Sequence, residues 1–173
     1  MKTIRNLLWV AAAVFGIAFI GIGATFVYMG YQARGEIKDR LIEQQVYTSA
    51  DAEKFGVPAN TLVQDAKTAQ AQADVIKLHT LGRHGPFQTL AREDPNRQSY
   101  FNGAGLQAAL GLSVLALGVA DLAMGSGALI LLIGFATLVV GVPGLYFIRV
   151  PAEEKVARAA PAIRPAHGYA GAD

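Results

Sequence analysis

Charged side chains are all but absent from two long stretches of this chain and crowded between them. The first stretch, Leu7 to Tyr31, carries no charge and is bounded by Lys2 and Arg5 on one side and by Arg34, Lys38 and Arg40 on the other. About 20 residues of helix cross a hydrocarbon layer of ~30 Å, so the pattern predicts one tilted membrane span. The run passes into "FVYMGYQARG" with no small-residue cleavage site, which predicts an uncleaved anchor rather than a secretory signal. The second stretch, Gly105 to Ile148, holds one charge, Asp121. It is too long for one span and about right for two, so a turn must lie near its middle, and "MGSG", Met124 to Gly127, is the only cluster of turn-permissive residues there. The pattern therefore predicts a helical hairpin with spans Leu106 to Met124 and Gly127 to Ile148. Trp9, Tyr28 and Tyr31, then Tyr100 and Phe101, then Tyr146 and Phe147 bracket the three spans as interfacial aromatics do.

The expected fold class is all-α: an integral membrane protein of three transmembrane helices with a small helical headpiece between spans one and two. Its expected organisation is an anchor (1–31), a polar helical headpiece (32–103), a transmembrane hairpin (104–148) and a disordered tail (149–173), with disorder after about Val156. Within the headpiece, "EIKDRLIEQQ" sets Glu36 and Arg40 at i,i+4 and Ile37 and Leu41 on one side, so the first helix is expected to continue past the membrane. A short helical turn follows, started near Thr48 or Ser49 and stopped by Gly56 and Pro58. From Asn60 as N-cap, Leu62, Ala66, Ala69, Ala73 and Ile76 alternate in steps of four and three, a coiled-coil seam of small knobs. Such a seam buries little area, so this helix is expected to rest on the extensions of spans one and two. Asp94 as N-cap and Pro95 at the first helical position start a helix running directly into span two.

Glycine recurs every seven residues in each span: Gly16, Gly23 and Gly30; Gly111, Gly118 and Gly125; Gly127, Gly134 and Gly141. Seven residues are nearly two helical turns, so each triple forms a stripe on which a neighbouring backbone can approach closely. The spacing leaves open whether the neighbour is another span of this chain, a second copy or another membrane protein.

Asp121 admits two readings. Near the end of the second span it sits at headgroup depth, where a carboxylate reaches water or caps a turn at modest cost; facing the bundle it is a candidate functional acid.

Composition narrows the chemistry. Of 173 residues, 53% are hydrophobic and 16% charged, too apolar a balance for an ordinary soluble domain. A formal charge of +2, with no interleaving of basic and aromatic residues, argues against nucleic acid as a partner. Cysteine is absent, which removes disulfides, thiolate nucleophiles and thiolate metal ligation. His79 and His84, in "HTLGRHG", are five apart rather than the three or four of a helical metal pair, and remain weak metal candidates. No phosphate-binding, nucleophile-elbow, zinc-protease or dinucleotide motif is present, so no cofactor is expected. Lys and Arg near the spans lean toward a cytoplasmic headpiece in the cell membrane.

The segments "DRLIEQQVYTSADA", "AQADVIKLHTLG", "REDPNRQSYFNGAG" and "GVADLAMGSG" together resemble a family of small actinobacterial multi-span membrane proteins of unknown function. The resemblance runs over nearly the whole chain to about Ile148. Some members carry a name implying an aromatic ring-opening dioxygenase, which would require an iron site of two histidines and a carboxylate or a partner that supplies one, and this sequence offers no good constellation for it. The expectation is a non-enzymatic accessory or scaffold subunit of a membrane assembly. The alternatives are a small homo-oligomeric transporter or channel using Asp121 and, third, a metal-binding headpiece.

Overall fold

The computed structural model describes residues 2–147, with residues 2–6 described by backbone alone; the tail, 149–173, for which disorder is expected, lies outside the described residues. Three helices dominate: α1 (Lys2–Glu43), α2 (Ala66–His84) and α3 (Asn96–Ala136). The described residues form no strand, only an isolated antiparallel bridge between Tyr47 and Leu62. Two helices are long and apolar enough to cross a membrane, one ending at Glu43 and the other running from Asn96 to Phe147.

The expected turn at Met124 to Gly127 does not form. Helix α3 passes through it unbroken, so two long helices stand where three spans are expected. Glycine permits a turn but does not impose one. Leaving the helix in an apolar setting would orphan backbone N–H and C=O groups, and Gly127 is instead used to pack against α1. The irregularity falls further on, where Thr137–Gly141 widens into a π turn. Pro143 follows it; a proline has no N–H to give the carbonyl four residues back, and its ring collides with that carbonyl.

The described residues divide into two compact units, one pairing the start of α1, to Ile20, with residues 132–147, the other running from Gly21 to Leu131. In the first, Trp9 meets Tyr146 edge to face at 6.3 Å.

The second unit contains the headpiece. Its core joins Leu41 of α1, Val63, Ala69 and Ala73 of the α2 region, and Leu110 and Leu117 of α3, with Ile37, Ala66 and Ile76 packed around them. The alanine seam thus rests on both long helices, as expected. The other face of α2 buries Ala71 and Val75 against Ala52 and Val57. A 3-10 turn, Ala50–Phe55, supplies Ala52; it follows Ser49 and ends on Gly56 at φ 73°, matching the expected start and stop.

Helix α2 begins at Ala66, not after Asn60. Asn60 takes a left-handed φ of 56°, and its N–H donates to the Thr48 carbonyl. The cap is Asp65, whose side chain accepts from the Thr68 amide at 2.8 Å while the Thr68 hydroxyl accepts from the Asp65 amide. That reciprocal pair outcompetes a lone asparagine because it satisfies donors at both ends. The intervening loop is tied by Thr48, whose hydroxyl donates to the Pro58 carbonyl at 2.7 Å and accepts from the Thr61 amide at 2.9 Å.

Asp94 accepts from the Asn96 amide at 2.8 Å, so α3 starts where Asp94 and Pro95 place it. Close by, Phe87 packs on Tyr100 and Phe101, and the Arg97 guanidinium lies 4.3 Å from its ring centre.

Candidate functional site

Seven-residue spacing on two antiparallel helices brings glycines to face each other, and in the structure five glycines of the first and third triples interlock. In the second unit, a methyl on Gly23 would stand 2.7 Å from the Gly127 carbonyl oxygen, and one on Gly127 would stand 2.7 Å from that of Gly23. Gly30 lies as tightly against Ala120 and Met124. In the first unit, Gly16 meets Leu138 and the Gly134 carbonyl, and Gly134 meets the Gly16 carbonyl and Ile20. Backbones this close exchange Cα–H···O contacts and dispersion that any larger side chain would remove.

The remaining glycines behave differently. Gly111, Gly118 and Gly125 have nothing within 4 Å of where a side chain would begin, and Gly141 has only Thr137 of its own turn. The middle triple therefore lies open on α3, next to Leu112, Leu115, Val119 and Leu122, all strongly exposed.

Asp121 is not a turn residue. It lies within α3, and Arg34 of α1 donates to its carboxylate. Both side chains are about half exposed, 48% for Arg34 and 51% for Asp121. Arg34 is the residue the sequence reading missed. A signal existed: it lies four residues after Gly30, and Asp121 directly follows Ala120, the residue Gly30 touches.

The histidines find other partners. His79 Nε2 lies 2.7 Å from Asp51 Oδ2, and Lys54 Nζ holds the other oxygen of Asp51 at 2.7 Å. The hydrogen bonds from Lys54 and then His79 hold the Asp51 carboxyl below its ordinary value of 3.8. His79 and His84 line one groove together with Arg83, whose charge opposes a bound cation. Among the described residues no three His, Asp or Glu side chains gather as metal ligands, so the set does not fit an iron site of two histidines and a carboxylate. His167 lies outside the described residues.

Comparison with protein-family models, with curated proteins and with solved structures finds no match to this chain.

Proposed function

We propose that this protein is an integral membrane protein of two spans, acting as a non-enzymatic accessory or scaffold subunit of a membrane assembly. In this reading α1 crosses through its apolar run, Leu7 to Tyr31, and α3 crosses beyond Asp121. Arg34 and Asp121 mark the headgroup level on the headpiece side, where a half-exposed ion pair reaches water. Trp9, at the other end of the apolar run of α1, meets Tyr146 edge to face as interfacial aromatics do.

One observation carries the assembly role. The contacts between α1 and α3 use Gly16, Gly23, Gly30, Gly127 and Gly134, and leave a second small-residue stripe, Gly111, Gly118 and Gly125, open beside exposed leucines. A helix that offers close approach on a face its own chain leaves uncovered is suited to receive another helix. The transport alternative draws no support from geometry, since the Asp121 carboxylate is engaged by Arg34.

The test is purification from native membranes in mild detergent, with native sizing and mass spectrometry of what accompanies the chain. The expected result is a stoichiometric membrane protein companion, lost with Gly118→Leu while membrane insertion persists. A particle containing this chain alone, unchanged by Gly118→Leu, would overturn the reading.

A further inference from the structure

The face of α3 that α1 and α2 leave free has a repeat of its own. With Leu112 placed at heptad position a, Val119 and Ser126 occupy the next a positions, and Leu115, Leu122 and Leu129 the d positions. The five apolar residues of this set are 58% to 69% exposed. Their opposite side is taken: Ala120 and Gly127 at b and Met124 at f meet α1, and Leu110 and Leu117 at f enter the headpiece core. The flanks are small on both edges, with Ala109, Ala116 and Ala123 at e and the open glycines at g.

Lipid does not account for the whole of this seam. Leu112 and Leu115 lie on the headpiece side of Asp121, alongside the part of α1 that carries Glu36, Lys38, Asp39 and Arg40. They wall an apolar groove of about 470 Å³ whose far side is Met29, Ala33 and Ile37 of α1. Exposed leucines at the level of a charged helix need a protein cover.

The residues in the seam indicate which cover. Leucine fills all three d positions and β-branched Val119 the central a position, a combination that favours a parallel two-stranded pairing, with polar Ser126 at the a position that follows. The register continues in sequence to a β-branched Ile133 at the next a. Copies of one chain inserted into one membrane the same way round present α3 in parallel. None of the a, d, e or g positions from Gly105 to Ile133 is charged, so the face meets its own copy without like-charge repulsion. From Gly105 to Ile133 the helix rises ~42 Å, and a strip one helix diameter wide covers on the order of 500 Å² per copy, so roughly 1,000 Å² in a pair, where specific interfaces begin.

We propose that α3 pairs in parallel and in register with α3 of a second copy of this chain, through Leu112, Leu115, Val119, Leu122 and Leu129. The proposal rests on the two-span membrane reading above; it gives the leucine ridge of the open face to a second copy, so that a companion protein assembles on the pair rather than on a single α3.

Because the chain has no cysteine, single cysteines test it directly. Leu115→Cys, Val119→Cys and Leu122→Cys are compared with Ala128→Cys, an exposed position off the seam, in the full-length protein in native membranes under mild oxidation. The expected result is disulfide dimers of twice 18.3 kDa, at least tenfold more from the three seam positions than from Ala128→Cys. Equal yields from all four, or no dimer from any seam position, would overturn the pairing. Cross-linking of the seam to a thiol of a different protein would overturn it too, while leaving the accessory-subunit reading standing. Seam dimers purified without any other protein would support the pairing and count against that reading.

Discussion

Arg34 of α1 and Asp121 of α3, 87 residues apart in sequence, form an ion pair where the apolar run of α1 has just ended. This accounts for the one acid in an otherwise uncharged stretch: it is answered by a cation on the neighbouring helix. With both side chains half exposed, solvent screens the pair, and a coupling of about 0.2–1 kcal/mol is expected. A double-mutant cycle on Arg34→Gln and Asp121→Asn, read by detergent denaturation, should return non-additive effects in that range; full additivity would show that the two do not interact.

Gly23 and Gly21 lie one turn-fraction apart on α1 with opposite surroundings. Gly23 abuts the backbone of Gly127 and Leu131, whereas Gly21 has nothing within 4 Å. Gly23→Ala must push two backbones apart and should destabilise by about 1–3 kcal/mol. Gly21→Ala should be neutral or stabilise by up to ~1 kcal/mol through helix propensity. Unfolding of both variants in the same detergent checks the contrast, which vanishes if the glycine contacts are unimportant.

Thr48 is buried and ties the headpiece loop at both ends of its hydroxyl. Thr48→Val leaves the Thr61 amide and the Pro58 carbonyl without that partner, costing about 1–3 kcal/mol, while Thr48→Ser should retain most of the stability. Hydrogen exchange at the Thr61 amide should accelerate in the valine variant and stay close to wild type in the serine variant.

Acid should loosen the 3-10 turn from α2. The Asp51 carboxyl is held below 3.8 by Lys54 and then His79. A carboxyl whose folded value is depressed contributes stability above its unfolded value, and loses it as pH falls through the lowered folded value. The contribution is therefore intact at neutral pH and disappears only below the ordinary carboxylate range. NMR titration of the Asp51 carboxyl should give a midpoint under 3.8, and Lys54→Gln should raise it.

Legibility followed how local the cause was. Asp94 with Pro95, Ser49 with Gly56, and the Glu36–Arg40 pair act within a turn or two, and each is found where the sequence places it. The alanine seam was readable because its period survives whatever it packs on. Asn60 misled because a cap depends on the third residue beyond it, and Thr68 makes Asp65 the stronger choice. Met124 to Gly127 misled for a different reason. Small residues are ambiguous between a bend and a close contact, and only the opposing Gly23 decides between them. Arg34 went unnoticed because pairing it with Asp121 needs the register of the two helices, which the glycine stripes carry but which no single segment reveals. His79 with Asp51 depends on the loop fold in the same way.

The number of membrane crossings is the point on which the account turns. With α3 crossing once, the headpiece and the C-terminal tail lie on opposite faces of the membrane; with a hairpin at Met124 to Gly127 they would share a face. The most direct measurement introduces Lys67→Cys in the headpiece or Ala170→Cys in the tail, one at a time, into this cysteine-free chain, and labels sealed vesicles of known sidedness with an impermeant maleimide. Labelling of the two positions from opposite faces is the predicted result. Labelling of both from the same face would contradict the two-span account.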